Sequence, residues 1–542
     1  MTTPDVTVVV AVYNTMPYLT ECLQSLVGQS IGLDRLQVIA VDDGSTDDSG
    51  PELDRFAEKY PGTFTVLHQE NSGGPAAPSN RALELATGRY VYFIGSDDYL
   101  GDEALERMVA CADERGSDVV VGKMVGTNGR YVHQKLYTDD NPDISLYDSA
   151  LPYTLANTKL FRRALVEKHK LRFPEDMPVG SDQPFTIEAC FRAGKISVIG
   201  DYTCYYAVKR GDASNITYRA DHLARLRCVA KIMAHTADLI EAGPKRDAVF
   251  KRHFEWELSK LLQKDFPALD ADTKRQVCSG IAVLLDAYYT DELRDITGVV
   301  RRVRFGLAWR GAVDALSEAL TSEAERGAPP FLLEGGRAFA VYPGFRDDAV
   351  GLPDRFYEVL GEGVSGRLAK STRLESAEWE QQGADLSLSL ALRTGVVGDT
   401  SSAVVALAQK AMPASADKPG ARRLPGNATR PEVVGDLVRE TTADGTGTRL
   451  TARIPLRPVD AKRGLRVYVD VAGSTYEIPV RADELPMPLA RRWGRPVPYR
   501  VAANVNPKGR LVITTAPLWE TKTGVFRRLR RKLSRLKRKV IR

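Results

Sequence analysis

Three runs of apolar, largely β-branched residues constrain this chain more than any other feature: "VTVVVAVY" (6–13), "LQVIAVDD" (36–43) and "YVYFIGSDD" (90–98). None of them alternates apolar with polar residues, so a strand built from any of them must be covered on both faces. The stretches between have helical spacing, with Tyr18, Cys22, Leu23 and Leu26 recurring at steps of three and four. A second helix is expected over 51–60, a short strand at "FTVLHQE" and a third helix at "RALELATG". This alternation predicts an α/β domain with a mostly parallel sheet and helices on both faces. In such sheets ligands bind beyond the carboxyl ends of the strands. The polar clusters fall there: Tyr13-Asn14, Asp42-Asp43, the loop 71–80 and Asp97-Asp98.

At 542 residues the chain is too long for one core. The pattern divides it into an α/β region (1–218), a helical region (219–334), a β-rich region (335–520) and a tail (521–542). In the third region "ADLSLSLALRTG", "TRLTARIPLRP" and "GLRVYVDVAG" alternate between turn residues, which predicts an antiparallel β-sandwich. The six cysteines form no CxxC pair, which fits reduced thiols in the cytoplasm. The first residues lack a basic, then apolar, leader pattern, and no apolar run is long enough to span a membrane. The net charge of +5 is uneven: the tail alone holds eleven Lys and Arg and no acid, leaving about −6 for the rest.

Two adjacent aspartates at the end of a buried strand repel each other, so "GSDD" calls for a reason. A divalent cation would remove the repulsion by binding carboxylate oxygen and bridging the phosphates of a ligand. The alternative is a loop acid that caps the following helix, "DEALERMVACADERG". No GxxxxGK[ST] phosphate loop is present, which turns the argument from ATP hydrolysis toward sugar-nucleotide chemistry.

"VVVAVYN", "VDDGSTD", "NSGGPAAPSNRALELATG" and "FIGSDDY" occur in this order. Together they resemble the inverting family-two glycosyltransferases with the A-type nucleotide-sugar fold, over about residues 5–215. The resemblance implies that Ala11 and Tyr13 contact the nucleoside, and that Asp43, or Asp42, hydrogen-bonds the uracil. It puts Asn71 beside base and ribose, Asn80 and Arg81 toward the diphosphate, Asp97 at ribose or metal, and Asp98 on Mn2+ or Mg2+. Gly95 stands where the family's DxDD motif begins, and Ser79 where its arginine precedes an asparagine. The family's acceptor-side base is the Asp of an "ED" motif, here Asp182 in "GSDQPF", with Ser181 at the Glu position. Local chemistry leaves Asp182 equally readable as a helix N-cap.

"NSGGPAAPSN", "PYTLANTKLFRRAL", "GSDQPFTIEA", "YYAVKRGDASNITY" and "KRHFEWELSK" resemble the wall-teichoic-acid N-acetylglucosaminyltransferases that decorate poly(ribitol phosphate). That implies a UDP-sugar donor, an anionic polyol-phosphate acceptor and, by analogy, a trimer. Arg130, Lys209, Arg210, Arg252 and His253 are the cations expected to meet the acceptor. In the tail, Phe526, Leu529, Leu533, Leu536 and Val540 share one helical face among basic residues. This predicts peripheral binding to an anionic membrane surface. The competing readings are a capsular or exopolysaccharide transferase, and a carbohydrate-binding protein whose catalytic site has decayed.

Overall fold

The computed structural model describes residues 3–211, 221–360 and, with interruptions, 372–518. The chain forms two compact units, 1–293 and 294–542.

The first unit opens with β1 (Val6–Val12), α1 (Tyr18–Val27), β2 (Leu36–Asp42), α2 (Ser49–Lys59), β3 (Phe64–His68), α3 (Ala76–Glu84) and β4 (Tyr90–Gly95). It continues with β5 (Tyr99–Leu100), α4 (Ala104–Arg115), β6 (Val119–Thr127), β7 (Leu160–Arg162), α5 (Arg163–Lys168), α6 (Asp182–Arg192) and β8 (Ile196–Val208). The eight strands make one sheet in the order β3-β2-β1-β4-β7-β6-β8-β5. The β3-β2-β1-β4 half is parallel throughout, with Val8 level with Val38 on one side and Tyr92 on the other. The short strand β7 runs antiparallel to both β4 and β6.

The unalternating sequence of β1 has the expected cause. Val6, Val8, Val10 and Val12 pack in one apolar cluster with Leu19, Leu23 and Leu53 from α1 and α2. Val9 packs on the opposite face with Ala82, Phe93 and Phe185. Each such side chain contributes about 1.5–3 kcal/mol when fully buried, so Val10→Asp at the centre of β1 should prevent folding of the unit. Chain order reverses at β1, which places a crevice at the carboxyl ends of β1 and β4.

Helices α7 (His222–Leu239), α8 (Pro244–Arg252) and α9 (Ala271–Tyr288) complete this unit. Between α8 and α9 lies a π-helical turn, His253–Glu257. A small apolar cluster of Leu155, Met177, Ile187, Cys228 and Ile232 fastens α7 to α6.

In the second unit, Val299–Trp309 and Val313–Arg326 are helices, followed by strands. The strand Asp385–Thr394 pairs antiparallel with both Arg373–Gln382 and Thr448–Pro455. Ala461–Val471 pairs antiparallel with Val404–Gln409, Ser474–Pro479 and Leu511–Pro517. The boundary between the units at 293 falls inside the helical region expected over 219–334. The physical reason lies in Arg302 and Trp309: Arg302, 1% exposed, donates to the carbonyls of Phe356 and Glu358, and Trp309 stacks on Phe356. The basic tail at 521–542 lies outside the described residues. Among the described residues no helix is long and apolar enough to cross a membrane, and the six cysteines are free and buried.

Candidate functional site

The crevice at the end of β1 begins with Tyr13, whose ring is 42% exposed directly after the strand. Asn14 follows with a left-handed backbone, and its Oδ1 accepts from the Thr46 and Asp47 amides. Asp42 closes the turn after β2, accepting from the Ser45 amide at 3.0 Å and pairing with His68 Nδ1 at 3.0 Å. Asp43 is 3% exposed and is held by Gln69 Nε2 (2.6 Å), the Ser72 amide and the Ser72 hydroxyl. Gly44 makes this junction possible: its φ is +75°, and a Cβ there would lie 2.8 Å from the Asn71 amide nitrogen. Asn71 itself is exposed, and Ala11 is partly so. Tyr13 and Asn71 are thus exposed and Ala11 half-buried, at the same end of the sheet as the buried Asp43.

Asn80 is placed differently from expectation. It is 8% exposed and clamps the segment 173–175, donating to Phe173 O (2.8 Å) and Glu175 Oε1 (2.9 Å) and accepting from the Phe173 amide. An amide with its donors and acceptor so occupied has little left to offer a diphosphate. Arg81 also turns away, donating to His68 O and Gln69 Oε1.

At the end of β4 the two aspartates separate in role. Asp98 is 5% exposed. The Tyr205 hydroxyl donates to its Oδ2, and the Val208 amide (2.7 Å) and Arg130 Nη1 (3.3 Å) donate to its Oδ1. Burial pushes its pKa up to about 6, with Asp97 adding to the rise and Arg130 and the two other donors opposing it. Asp97 is less enclosed and accepts from Arg210 Nε at 2.7 Å. Asp98, expected on the metal, thus already meets three donors, which leaves about one of its four lone-pair sites open. Gly95 explains the missing first acid of DxDD. A Cβ at that position would stand 2.9 Å from Asp98 Oδ2 and 3.3 Å from the Tyr205 hydroxyl, which itself accepts from the Gly95 amide. Tyr205, unremarked in the sequence, occupies the room that a third carboxylate would need. Among the described residues no group of three or more His, Cys, Asp or Glu side chains could hold a metal ion. Asp97 could take one only by releasing Arg210, so the side chains as arranged do not fit a ready divalent-ion site.

Arg130 and Arg210 are thus counter-charges to the aspartate pair. Lys209 is exposed. Arg252 and His253, expected at an acceptor surface, are 6% and 0% exposed. Arg252 ends α8 and lines the Asp182 cavity, and His253 begins the π-helical turn, with Thr236 Oγ1 3.2 Å from its Nε2.

The acceptor-side candidate, Asp182, begins α6 after Gly180, whose φ of +73° turns the chain into the helix. It opens on a cavity of about 330 Å³ walled by Tyr153, Trp256, His133, Arg225 and Lys260 among others. His133 stacks on Tyr153 at 5.1 Å, and Trp256 meets Tyr153 edge-on at 5.4 Å. These flat faces and cations suit a polyhydroxylated anion. Burial raises the Asp182 pKa above the ordinary value; Arg252 pulls it down and Glu257 pushes it up. Among the described residues the carboxylate is bonded only by its own amide. Arg130 lines this cavity as well as bonding Asp98, so the two sides adjoin at its guanidinium. Lys159, Gln183 and Glu257 are cavity residues that sequence reasoning missed. "KRHFEWELSK" had marked the region, but nothing in it announced a π-helical turn.

Residues 7–174 match the glycosyl transferase family 2 model, and residues 222–320 match the glycosyl transferase TarS linker domain. A poly(ribitol-phosphate) beta-glucosyltransferase of Bacillus spizizenii is 40% identical over 261 residues, 47% of this chain and 41% of that protein. The poly(ribitol-phosphate) beta-N-acetylglucosaminyltransferase TarS of Staphylococcus aureus is 38% identical over 256 residues, 46% of this chain and 44% of that protein. The chain spans less than half the length of these curated relatives in the matched regions. The crystal structure of S. aureus TarS aligns with 96% of this chain and 86% of that one, with TM-score 0.60 and 21% identity, which shows a shared fold. S. aureus TarS 1-349 in complex with UDP-GlcNAc aligns with 66% of this chain and 99% of that one, with TM-score 0.56 and 28% identity.

Proposed function

We propose that this chain, which carries a family 2 glycosyltransferase domain followed by a TarS-type linker domain, is an inverting glycosyltransferase. Its donor is a UDP-sugar and its acceptor a hydroxyl of poly(ribitol phosphate). The observation that carries the reading is the placement of Asp182: an open carboxylate with a raised pKa at the wall of a cationic, aromatic cavity that adjoins the aspartate pair at Arg130. A protein that only bound carbohydrate would need no such base.

In this reading Tyr13, Ala11 and Asn71 receive the nucleoside, and the Asp43 loop shapes that face. Asp182 accepts the proton of an acceptor hydroxyl as its oxygen attacks the anomeric carbon in line. The carbon–oxygen bond to the diphosphate breaks, and its electron pair leaves on the UDP oxygen. Arg130 and Arg210 stand beside the strand end, where they offer positive charge to the departing diphosphate. The ion expected at Asp97-Asp98 takes no part in these steps. N-acetylglucosamine is the preferred donor sugar and glucose the competing one, since relatives named for each transfer match this chain. Peripheral attachment through the basic tail and self-association through the β-rich unit belong to the same reading. They are tested by sedimentation with anionic vesicles and by light scattering.

The decisive experiment incubates the protein with UDP-N-acetylglucosamine or UDP-glucose and purified poly(ribitol phosphate). Expected are acceptor-dependent UDP release and an inverted anomeric configuration in the product. UDP release no faster than in buffer with every donor would leave the carbohydrate-binding alternative standing.

A further inference from the structure

Arg252 and Glu257 are five residues apart. On a regular α-helix, at about 100° per residue, they would lie roughly 140° apart around the axis and could not touch. The π-helical turn His253–Glu257 brings them to one side. Such turns are rare and occur mostly as single insertions at functional sites. The side chains then pair, Arg252 Nη2 to Glu257 Oε1 at 2.7 Å, in a buried position. Gln183 closes a ring: its Oε1 accepts from Arg252 Nη1, and its Nε2 donates to Glu257 Oε1 at 3.1 Å. Gln183 directly follows Asp182 in the first turn of α6, and all four residues line the same cavity. A buried ion pair adds little net stability over an apolar replacement. A helix distorted to make one therefore needs a reason beyond stability.

We infer that the Arg252–Glu257–Gln183 ring is a positioning device for Asp182, which holds the first turn of α6 in place and sets the charge felt by the base. The inference rests on the reading of Asp182 as proton acceptor.

The surrounding charges allow a clean measurement. Burial works against the charge of Glu257, but Arg252 and Lys260 win and hold its pKa down to about 2. Burial, then Arg252, push His253 down to about 3, so it is neutral above that. Lys159 donates to the carbonyls of Thr154 and Ala156, and burial lowers its pKa to about 8, leaving it charged in acid. Burial, then Lys135, lower the pKa of His133. The other cavity cations are Arg130, Arg225 and Lys260. Through the mild acid range Glu257 and Lys159 thus keep their charge while Asp182 titrates; His133 gains charge below the ordinary imidazole range and Asp98 loses it behind Arg130, so the limb is read as the difference between variant and wild type. Removing the negative charge of Glu257 makes ionised Asp182 easier to form, so its pKa falls. Removing Arg252 does the opposite.

The test is the pH dependence of kcat/KM for transfer from UDP-N-acetylglucosamine, with poly(ribitol phosphate) as acceptor, using the full chain. For Glu257→Gln the acid limb should move to lower pH by about half a unit or more, and for Arg252→Met to higher pH. In both, kcat should fall several-fold and the donor KM should hold. A merely structural role would lower the yield of folded protein without moving the limb. If a single variant fails to fold, Arg252→Met/Glu257→Gln leaves no buried charge unpaired, and it should lower kcat at unchanged donor KM. An unmoved limb in a folded single variant, or wild-type kcat in the double, overturns the inference. Asp182→Asn measured alongside separates the two claims. If it still transfers, the base assignment fails; if it is inactive while Glu257→Gln keeps the wild-type limb, only the ring fails.

Discussion

At the end of β4, Asp97 and Asp98 are wrapped in donors: two arginines, a tyrosine hydroxyl and a backbone amide. At the start of α6, Asp182 faces a cavity and, among the described residues, accepts only from its own amide. Burial raises the pKa of both Asp98 and Asp182, yet their surroundings fit them for different work. A carboxylate gripped by several buried donors is first of all a structural tie. One whose lone pairs are open can accept a proton. Two acids that look alike in sequence, each preceded by Gly and Ser or a neighbouring Asp, are told apart by their partners.

The largest way to break this comparison is Asp182→Asn. The amide keeps the shape and loses the basicity, so transfer should fall by about 10²–10⁴-fold, with UDP affinity within a few-fold by calorimetric titration. Wild-type transfer would reassign the base. Next is Asp98→Ala, which strands the Tyr205 hydroxyl and the Val208 amide in a buried place. A loss of about 1–3 kcal/mol in denaturant unfolding is expected. If Asp98→Ala leaves stability alone and abolishes UDP binding, Asp98 is a ligand contact after all. Asp97→Asn should act the other way: little change in stability, and a change of up to about tenfold in UDP affinity through its link to Arg210. The smallest effect is assigned to Lys209→Gln. An exposed cation contributes about 0–1 kcal/mol to a single contact, so acceptor KM should rise no more than a few-fold and the rise should vanish in high salt.

The sheet was legible because its evidence is local: an unalternating β-branched run carries its own requirement for two covered faces. The polar strand ends were legible for the same reason, and Tyr13 and Asn71 are exposed there. Their partners were not legible. Arg130 reaches Asp98 across 32 residues of chain and Arg210 reaches Asp97 across 113, so the sequence offered cations without saying what they answer. Asn80 looked like a ligand contact because it follows the glycine-rich loop, but its bonds run to a segment 93 residues away. His253 is an interior residue, whereas Arg252, though nearly buried, lines the cavity with Asp182. Helical spacing marked that segment, but the π-helical turn that begins at His253 is not visible in it. In the second unit, helical spacing around Arg302 showed an apolar face but not the turn at 354–358 that covers it.

In the proposed reaction Asp182 moves a proton and the β4 pair does not. The most direct test compares two pH profiles in the range where circular dichroism shows the protein folded: transfer kcat/KM, and UDP affinity by titration. A carboxyl with a raised folded pKa is ionised above that value and becomes protonated as pH falls through it. Transfer should therefore decline toward acid with a midpoint above the ordinary aspartate value of about 4, and Asp182→Asn should lack that limb. UDP affinity should follow a separate midpoint, set by Asp98 through Arg130, that Asp182→Asn leaves in place. If UDP affinity and transfer fall together with one midpoint, the loss belongs to donor binding, and the division of labour between the two carboxylate sites is contradicted.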